Sequence, residues 1–214
     1  MNKFVYNFVK ITGWPIAALA FRTKYYYEDK SKQSRKIKGP AIIISNHTAV
    51  SDFMVYMYAF GGRNIHCVMA DILYKKNKFM NWLLPRIGGI KVNREINNFD
   101  FINQCNEILQ KGGVVEIYPE ARIPKAHEQK PIEFKPSAAY LAMLSRVPII
   151  PIYTNGEYYK KSRARIIIGT KIMPEDLIDE SLSDKENIEQ ITKRLREKIM
   201  ELGDELNKKT KEKR

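Results

Sequence analysis

The sequence predicts an α/β fold: a single domain with a mixed, largely parallel β-sheet flanked by helices. Three observations carry that prediction. Short apolar, β-branched runs recur through the body. Helical patterns alternate with them, which calls for a sheet covered on both faces. No internal repeat or low-complexity tract interrupts the alternation.

Taken in order, residues 1–32 form an N-terminal amphipathic, interfacial segment. Its apolar part, 4–21, is broken by Asn7, Lys10, Thr12 and Pro15. Spanning a bilayer needs about 20 consecutive apolar residues, so this stretch is short for it and kinked by proline. It has no Ala-x-Ala cleavage site with a suitable flank, which argues against a signal peptide. Phe4, Tyr6, Phe8, Trp14 and Phe21 suit the lipid–water boundary, and Lys3, Lys10, Arg22 and Lys24 suit anionic headgroups. The expected location is the cytoplasmic face of the cell membrane, peripheral or monotopic. The alternative is a helix packed on the protein's own core. Residues 29–39 read as a polar, basic loop.

The body, 33–175, opens with a buried strand at 41–45, then a helix over 50–60 ended by Gly61-Gly62. A strand at 64–69 and a helix over 79–84 lead through Gly88-Gly89 to a strand at 90–93. Phe101, Ile102, Cys105, Ile108 and Leu109 have helical spacing, which predicts a helix over 99–111 closed by Gly112-Gly113. Strands follow at 114–118, 149–154 and 165–169, with a helix over 136–144 opened by Pro136. Residues 176–214 are a C-terminal helix and basic tail. The helix carries a stripe of Ile188, Ile191, Leu195, Ile199, Leu202 and Leu206, and Ser183 and Glu186 form a capping box.

The charge balance of 37 basic against 24 acidic residues, +13 at pH 7, favours anionic partners. It does not choose among nucleic acid, a membrane surface, phosphorylated substrates or an acidic carrier. Cys67 and Cys105 make no disulfide framework and read as buried thiols in a reducing compartment. Three histidines without a tight His/Cys cluster indicate no metal site. No Walker A or Gly-x-Gly-x-x-Gly loop is present.

The chemistry concentrates at Asn46-His47-Thr48-Ala49-Val50-Ser51-Asp52, at the exit of the 41–45 strand. Five positions on one helix would turn the two side chains apart. For His47 to meet Asp52, the histidine must precede the helix start, and Ser45, Asn46, Thr48 and Ser51 all suit such a loop. Asp52 would then hold the imidazole tautomer and His47 would act as general base. Ser45 and Ser51 are near enough in sequence for a Ser-His hydrolase, but neither sits in a Gly-x-Ser-x-Gly elbow. Glu120-Ala121-Arg122 follows the 114–118 strand, so it shares the carboxyl rim of the sheet with His47. Arg94, Arg122 and Lys125 are candidates for a cationic phosphate cradle. Glu120 is a candidate to position a hydroxyl or orient the arginine. A surface ion pair is the plainer reading of Glu120. Val147-Pro148-Ile149-Ile150-Pro151 reads as the start of a strand.

These stretches, in this order, resemble the glycerophospholipid acyltransferase family. Asn46, His47 and Asp52 match its Asn-His-x-x-x-x-Asp. Gly89 to Arg94 is similar to its glycine–strand–arginine motif, and Val147 to Pro151 to its Val-Pro-Ile-x-Pro. Phe134-Lys135-Pro136-Ser137-Ala138 resembles its Phe-Lys-x-Gly-Ala. Tyr118-Pro119-Glu120-Ala121-Arg122 stands where the family usually has Phe-Pro-Glu-Gly-Thr-Arg, with Ala121 for glycine and the arginine one position early. The likeness runs from about residue 38 to 172, making 33–175 an acyltransferase domain. It implies transfer of a fatty acyl group from acyl-carrier protein or acyl-CoA to 1-acyl-glycerol 3-phosphate. His47 would be the base and Asp52 its orienting carboxylate, with Arg94, Glu120, Arg122 and Lys125 on the acceptor. It implies no metal or cofactor beyond that co-substrate, an anionic membrane surface as partner, and no nucleic acid. The alternatives are another acceptor, a lipid or thioester hydrolase, and a non-catalytic basic membrane-binding protein.

Overall fold

A computed structural model describes residues 1–93, 100–159 and 163–211. The chain opens with α1 (Lys3–Phe21), a helix that continues through Pro15. Asn2 caps it by accepting a hydrogen bond from the Val5 N–H at 3.1 Å. Seven strands follow: β1 (Lys24–Tyr27), β2 (Ala41–Ser45), β3 (Ile65–Ala70), β4 (Gly89–Val92), β5 (Val114–Ile117), β6 (Ile149–Thr154) and β7 (Arg165–Ile168). Helices α2 (Asp52–Ala59), α3 (Asp71–Lys75), α4 (Lys78–Arg86), α5 (Asp100–Gln110) and α6 (Ser137–Ser145) lie between them, and α7 (Asp184–Lys211) closes the chain.

The sheet order is β1-β7-β6-β2-β5-β3-β4. Every pairing is parallel except β6 with β7, so the sheet is mixed and largely parallel as the sequence predicts. Strand periodicity divides the core. Ile43 faces one layer, with α1, α2, α3 and α4, whereas Ile42 and Ile44 face the other, with α5, α6 and α7. Each fully buried isoleucine contributes about 1.5–3 kcal/mol relative to exposure. The central strand β2 is buried along its whole length, which is why it reads as a continuous apolar run.

Two features differ from the sequence reading. β1 lies within the segment 1–32, yet it is the sheet's edge strand, paired with β7. Only two residues, Arg22 and Thr23, join it to α1. α4 ends at Arg86, one residue past Pro85, because the Ile87 N–H still reaches the Leu83 carbonyl at 3.0 Å. The capping box of α7 is formed: Ser183 N–H donates to Glu186 at 2.9 Å, and Glu186 N–H donates to the Ser183 hydroxyl at 3.4 Å.

α1 buries a narrow stripe of Tyr6, Ala17 and Phe21 and leaves Phe4, Phe8, Ile11, Trp14, Ile16 and Leu19 exposed. Among the described residues it is the one helix long and apolar enough to cross a membrane, by length and composition. Its buried side is anchored: Tyr6 Oη accepts from the Ile65 N–H at 3.1 Å, and Lys10 Nζ donates to the Gly61 carbonyl at 2.8 Å.

Candidate active site

The site is built on the carboxyl ends of β2 and β5, neighbours in the sheet. Between β2 and α2 the chain is irregular, so His47 precedes the helix that begins at Asp52. Asn46 fixes this connection. Its amide accepts from the Thr154 N–H and donates to the Thr154 carbonyl, both at 2.9 Å, and so mimics a further pair of the β-ladder. Gly156 backs the same turn at φ 67, and a Cβ there would lie 2.8 Å from the Thr48 Cβ.

Asp52 is fully buried and accepts four hydrogen bonds. His47 Nδ1 lies 2.8 Å from Oδ2, which also accepts from the N–H groups of Thr48 at 2.7 Å and Ala49 at 3.0 Å. The Thr48 hydroxyl donates to Oδ1 at 2.8 Å. An acceptor on Nδ1 assigns the proton to that nitrogen and leaves Nε2 as the basic one. The imidazole stacks on Tyr118, with ring centroids 4.3 Å apart and planes 18° from parallel. Tyr118 Oη in turn donates to Glu116, whose other carboxylate oxygen has no hydrogen-bond partner among the described residues. Burial pushes Glu116 up to about 8, with nearby Asp52 adding to the rise.

Glu120 is 2% exposed and turned inward. It accepts from the His47 N–H at 2.8 Å and the Ile132 N–H at 3.2 Å. Burial raises its pKa, against those two hydrogen bonds. Through these two bonds Glu120 braces the His47 loop. Arg122 forms a two-pronged pair with Glu128, at 2.7 and 2.6 Å. Glu128 also accepts from the Lys125 N–H at 2.6 Å, and these donors, Arg122 first, hold it down to about 2. Arg196 of α7 secures the covering loop by donating to the carbonyls of Ile132 at 3.1 Å and Pro131 at 2.8 Å.

The structure thus brings His47, Asp52 and Glu120 together and gathers Arg122 and Lys125 around Glu128. Arg94 lies outside the described residues. Sequence reasoning missed Glu116, Glu128 and the stacking role of Tyr118. The only signal for Glu116 is a carboxylate inside an otherwise apolar strand. Ser45 is fully buried and bonded to Tyr56 and Asn46, so it is not paired with His47 as a nucleophile.

A cavity of about 580 Å³ opens beside His47, Tyr118 and Ala121. It runs between the sheet and α1–α4, past Phe53, Met57, Met69 and Leu83. Its walls are almost wholly apolar, and among the described residues Lys76 is the one lysine, arginine or carboxylate side chain that lines it. Cys67 borders it, but burial pushes that thiol well above its ordinary range, which leaves no thiolate nucleophile. Ala121 holds a left-handed backbone, φ 56, at the position of the family's usual glycine.

A buried carboxylate orienting a histidine at the end of an apolar cavity, on the rim of an α/β sheet, fits an acyl-transfer enzyme. The Acyltransferase family model matches residues 22–155, and the chain belongs to that family. The chain is an O-acyltransferase. It is 25% identical over 212 residues to the 1-acyl-sn-glycerol-3-phosphate acyltransferase of Bacillus subtilis (strain 168), covering 97% of this chain and 99% of the relative. It is 23% identical over 165 residues to the human 1-acyl-sn-glycerol-3-phosphate acyltransferase beta, covering 76% of this chain and 59% of that protein. Its fold is similar to the crystal structure of the 1-acyl-sn-glycerophosphate (LPA) acyltransferase, PlsC, from Thermotoga maritima. The TM-score is 0.62 at 16% identity, over 92% of this chain and 80% of the other.

Proposed function

We propose that the protein transfers a fatty acyl group from acyl-carrier protein or acyl-CoA to the free hydroxyl of 1-acyl-glycerol 3-phosphate, making phosphatidic acid. The observation that carries this reading is the 2.8 Å contact between His47 Nδ1 and fully buried Asp52, at the mouth of an apolar cavity. His47 Nε2 takes the hydroxyl proton as the oxygen attacks the thioester carbonyl. A C–O bond forms, the tetrahedral carbon collapses, the C–S bond breaks and the thiolate leaves with the proton from the imidazolium. Asp52 stabilises the imidazolium formed on the way. The cavity holds an acyl chain, and its size is ordinary for a lipid-sized ligand. Arg122, freed from Glu128, meets the acceptor phosphate with Lys125 and Arg94. α1 lies in the interface of the cytoplasmic leaflet, with its exposed aromatics in lipid and Lys3 at the headgroups.

The test is acyl transfer by the purified protein beside His47→Ala. Each thioester is offered with 1-acyl-glycerol 3-phosphate, glycerol 3-phosphate and other lysolipids. Transfer to 1-acyl-glycerol 3-phosphate that falls about a hundredfold or more in the mutant is expected. An active, folded His47→Ala protein sinks the mechanism, and acyl release to water alone makes the enzyme a hydrolase. A second reading has its own observation. Arg122 is occupied by Glu128 and the motif is one residue short, which suits an acceptor with a different headgroup.

A further inference from the structure

We propose that the α3–α4 hairpin is a second contact with an anionic lipid bilayer, beside α1, and that it sets the cavity mouth at lipid level. The proposal rests on the interfacial reading of α1. Ile72 on α3 is 70% exposed, and on α4 Phe79 is 57% and Trp82 47% exposed. Phe79 and Trp82 stack at 6.1 Å, so the two rings present one face. Large exposed aromatics on a short helix are costly in water and find a place at the lipid–water boundary.

The charge around them fits that occupant. Residues 71–86 contain Lys75, Lys76, Lys78 and Arg86 against the single acid Asp71, which pairs with Lys75 at 2.6 Å. Lys76 and Lys78 are exposed, and the Arg86 guanidinium stacks 4.6 Å from the Trp82 ring. An aromatic face fringed by cations matches acyl chains below anionic headgroups. The patch is also attached to α1, because the Asn2 N–H donates to the Arg86 carbonyl at 3.0 Å. Phe4 and Phe8 on α1 form a second exposed stack, at 6.5 Å.

The hairpin's other side lines the cavity through Leu73, Met80 and Leu83. Ile72 both lines the cavity and is exposed, as do Val50, Met54 and Ile123, so these four mark its mouth. With the hairpin seated in lipid, an acceptor enters sideways from the leaflet without exposing its chain to water.

The chain's two tryptophans, Trp14 on α1 and Trp82 on α4, allow a separated test. Trp14→Phe leaves Trp82 as sole reporter, and Trp82→Phe leaves Trp14. Each full-length variant is titrated with phosphatidylglycerol vesicles containing chain-brominated phosphatidylcholine. Quenching of both tryptophans is expected. Vesicle co-sedimentation of Phe79→Ser/Trp82→Ser should weaken by about tenfold per ring removed. Quenching of Trp14 alone overturns this proposal and leaves the α1 reading standing. Quenching of neither overturns both. An unquenched Trp82, with a lipid-free dimer that the double variant converts to monomer, assigns the patch to self-association instead.

Discussion

Glu128 sits on the two donors that Arg122 would offer to a phosphate, and a carboxylate in that place acts as an internal competitor. Bidentate pairing of this kind is geometrically selective, so phosphate and Glu128 cannot both hold the fork. Two substitutions should therefore move the acceptor KM in opposite directions. Arg122→Ala should raise it about tenfold, about 1.4 kcal/mol, with the thioester KM little changed. Glu128→Gln should lower it, because the neutral amide releases the guanidinium. Steady-state kinetics with each substrate varied in turn checks both. Equal effects on the two substrates would remove Arg122 from acceptor binding.

The β2–α2 connection is the element on which the site depends, and Asn46 ties it to β6. Asn46→Ala leaves the Thr154 N–H and carbonyl buried without partners, at about 1–3 kcal/mol for each group. A lowered Tm with a reduced kcat is the expected outcome. Unchanged unfolding would show that the loop is held elsewhere. What was legible in the sequence follows the same line between local and distant contacts. β2 and β6 read as strands because burial on both faces makes them continuously apolar. His47 and Asp52 read as a pair because only five positions separate them, one in the β2–α2 connection and the other at the first residue of α2. β1 did not, since Lys24-Tyr25-Tyr26-Tyr27 buries only Tyr26 and takes its strand form from β7. Nor did the brace by Glu120 or the capture of Arg122 by Glu128. Both depend on how residues 119–132 fold back over the rim, which no local pattern encodes.

For the molecule as a whole, Glu116 links stability to pH. Its folded pKa, about 8, lies above the ordinary 4.5, so folding takes up a proton across that window. The stabilisation is complete below about 4.5 and is lost as pH rises to about 8, at about 1.4 kcal/mol per unit. Groups facing Glu116 from the packed elements are Asp52 and Tyr56 of α2, Tyr6 of α1, Cys67 of β3 and Tyr118 beyond β5. Glu116→Gln should thus gain stability over the parent from pH 5 to pH 8 and hold a constant margin above. Denaturant titrations at several pH values measure this, and parallel curves would show that Glu116 is ionised in the fold. The join between α1 and β1 has a mechanical meaning. Arg22 and Thr23 are too few to act as a tether, and the Phe21 carbonyl is itself held by the Ala164 N–H at 3.1 Å. Where α1 lies in lipid, the body cannot swing or drift outward on a leash. His47 is then held at one fixed depth relative to the leaflet, level with the cavity mouth that a substrate enters from the side.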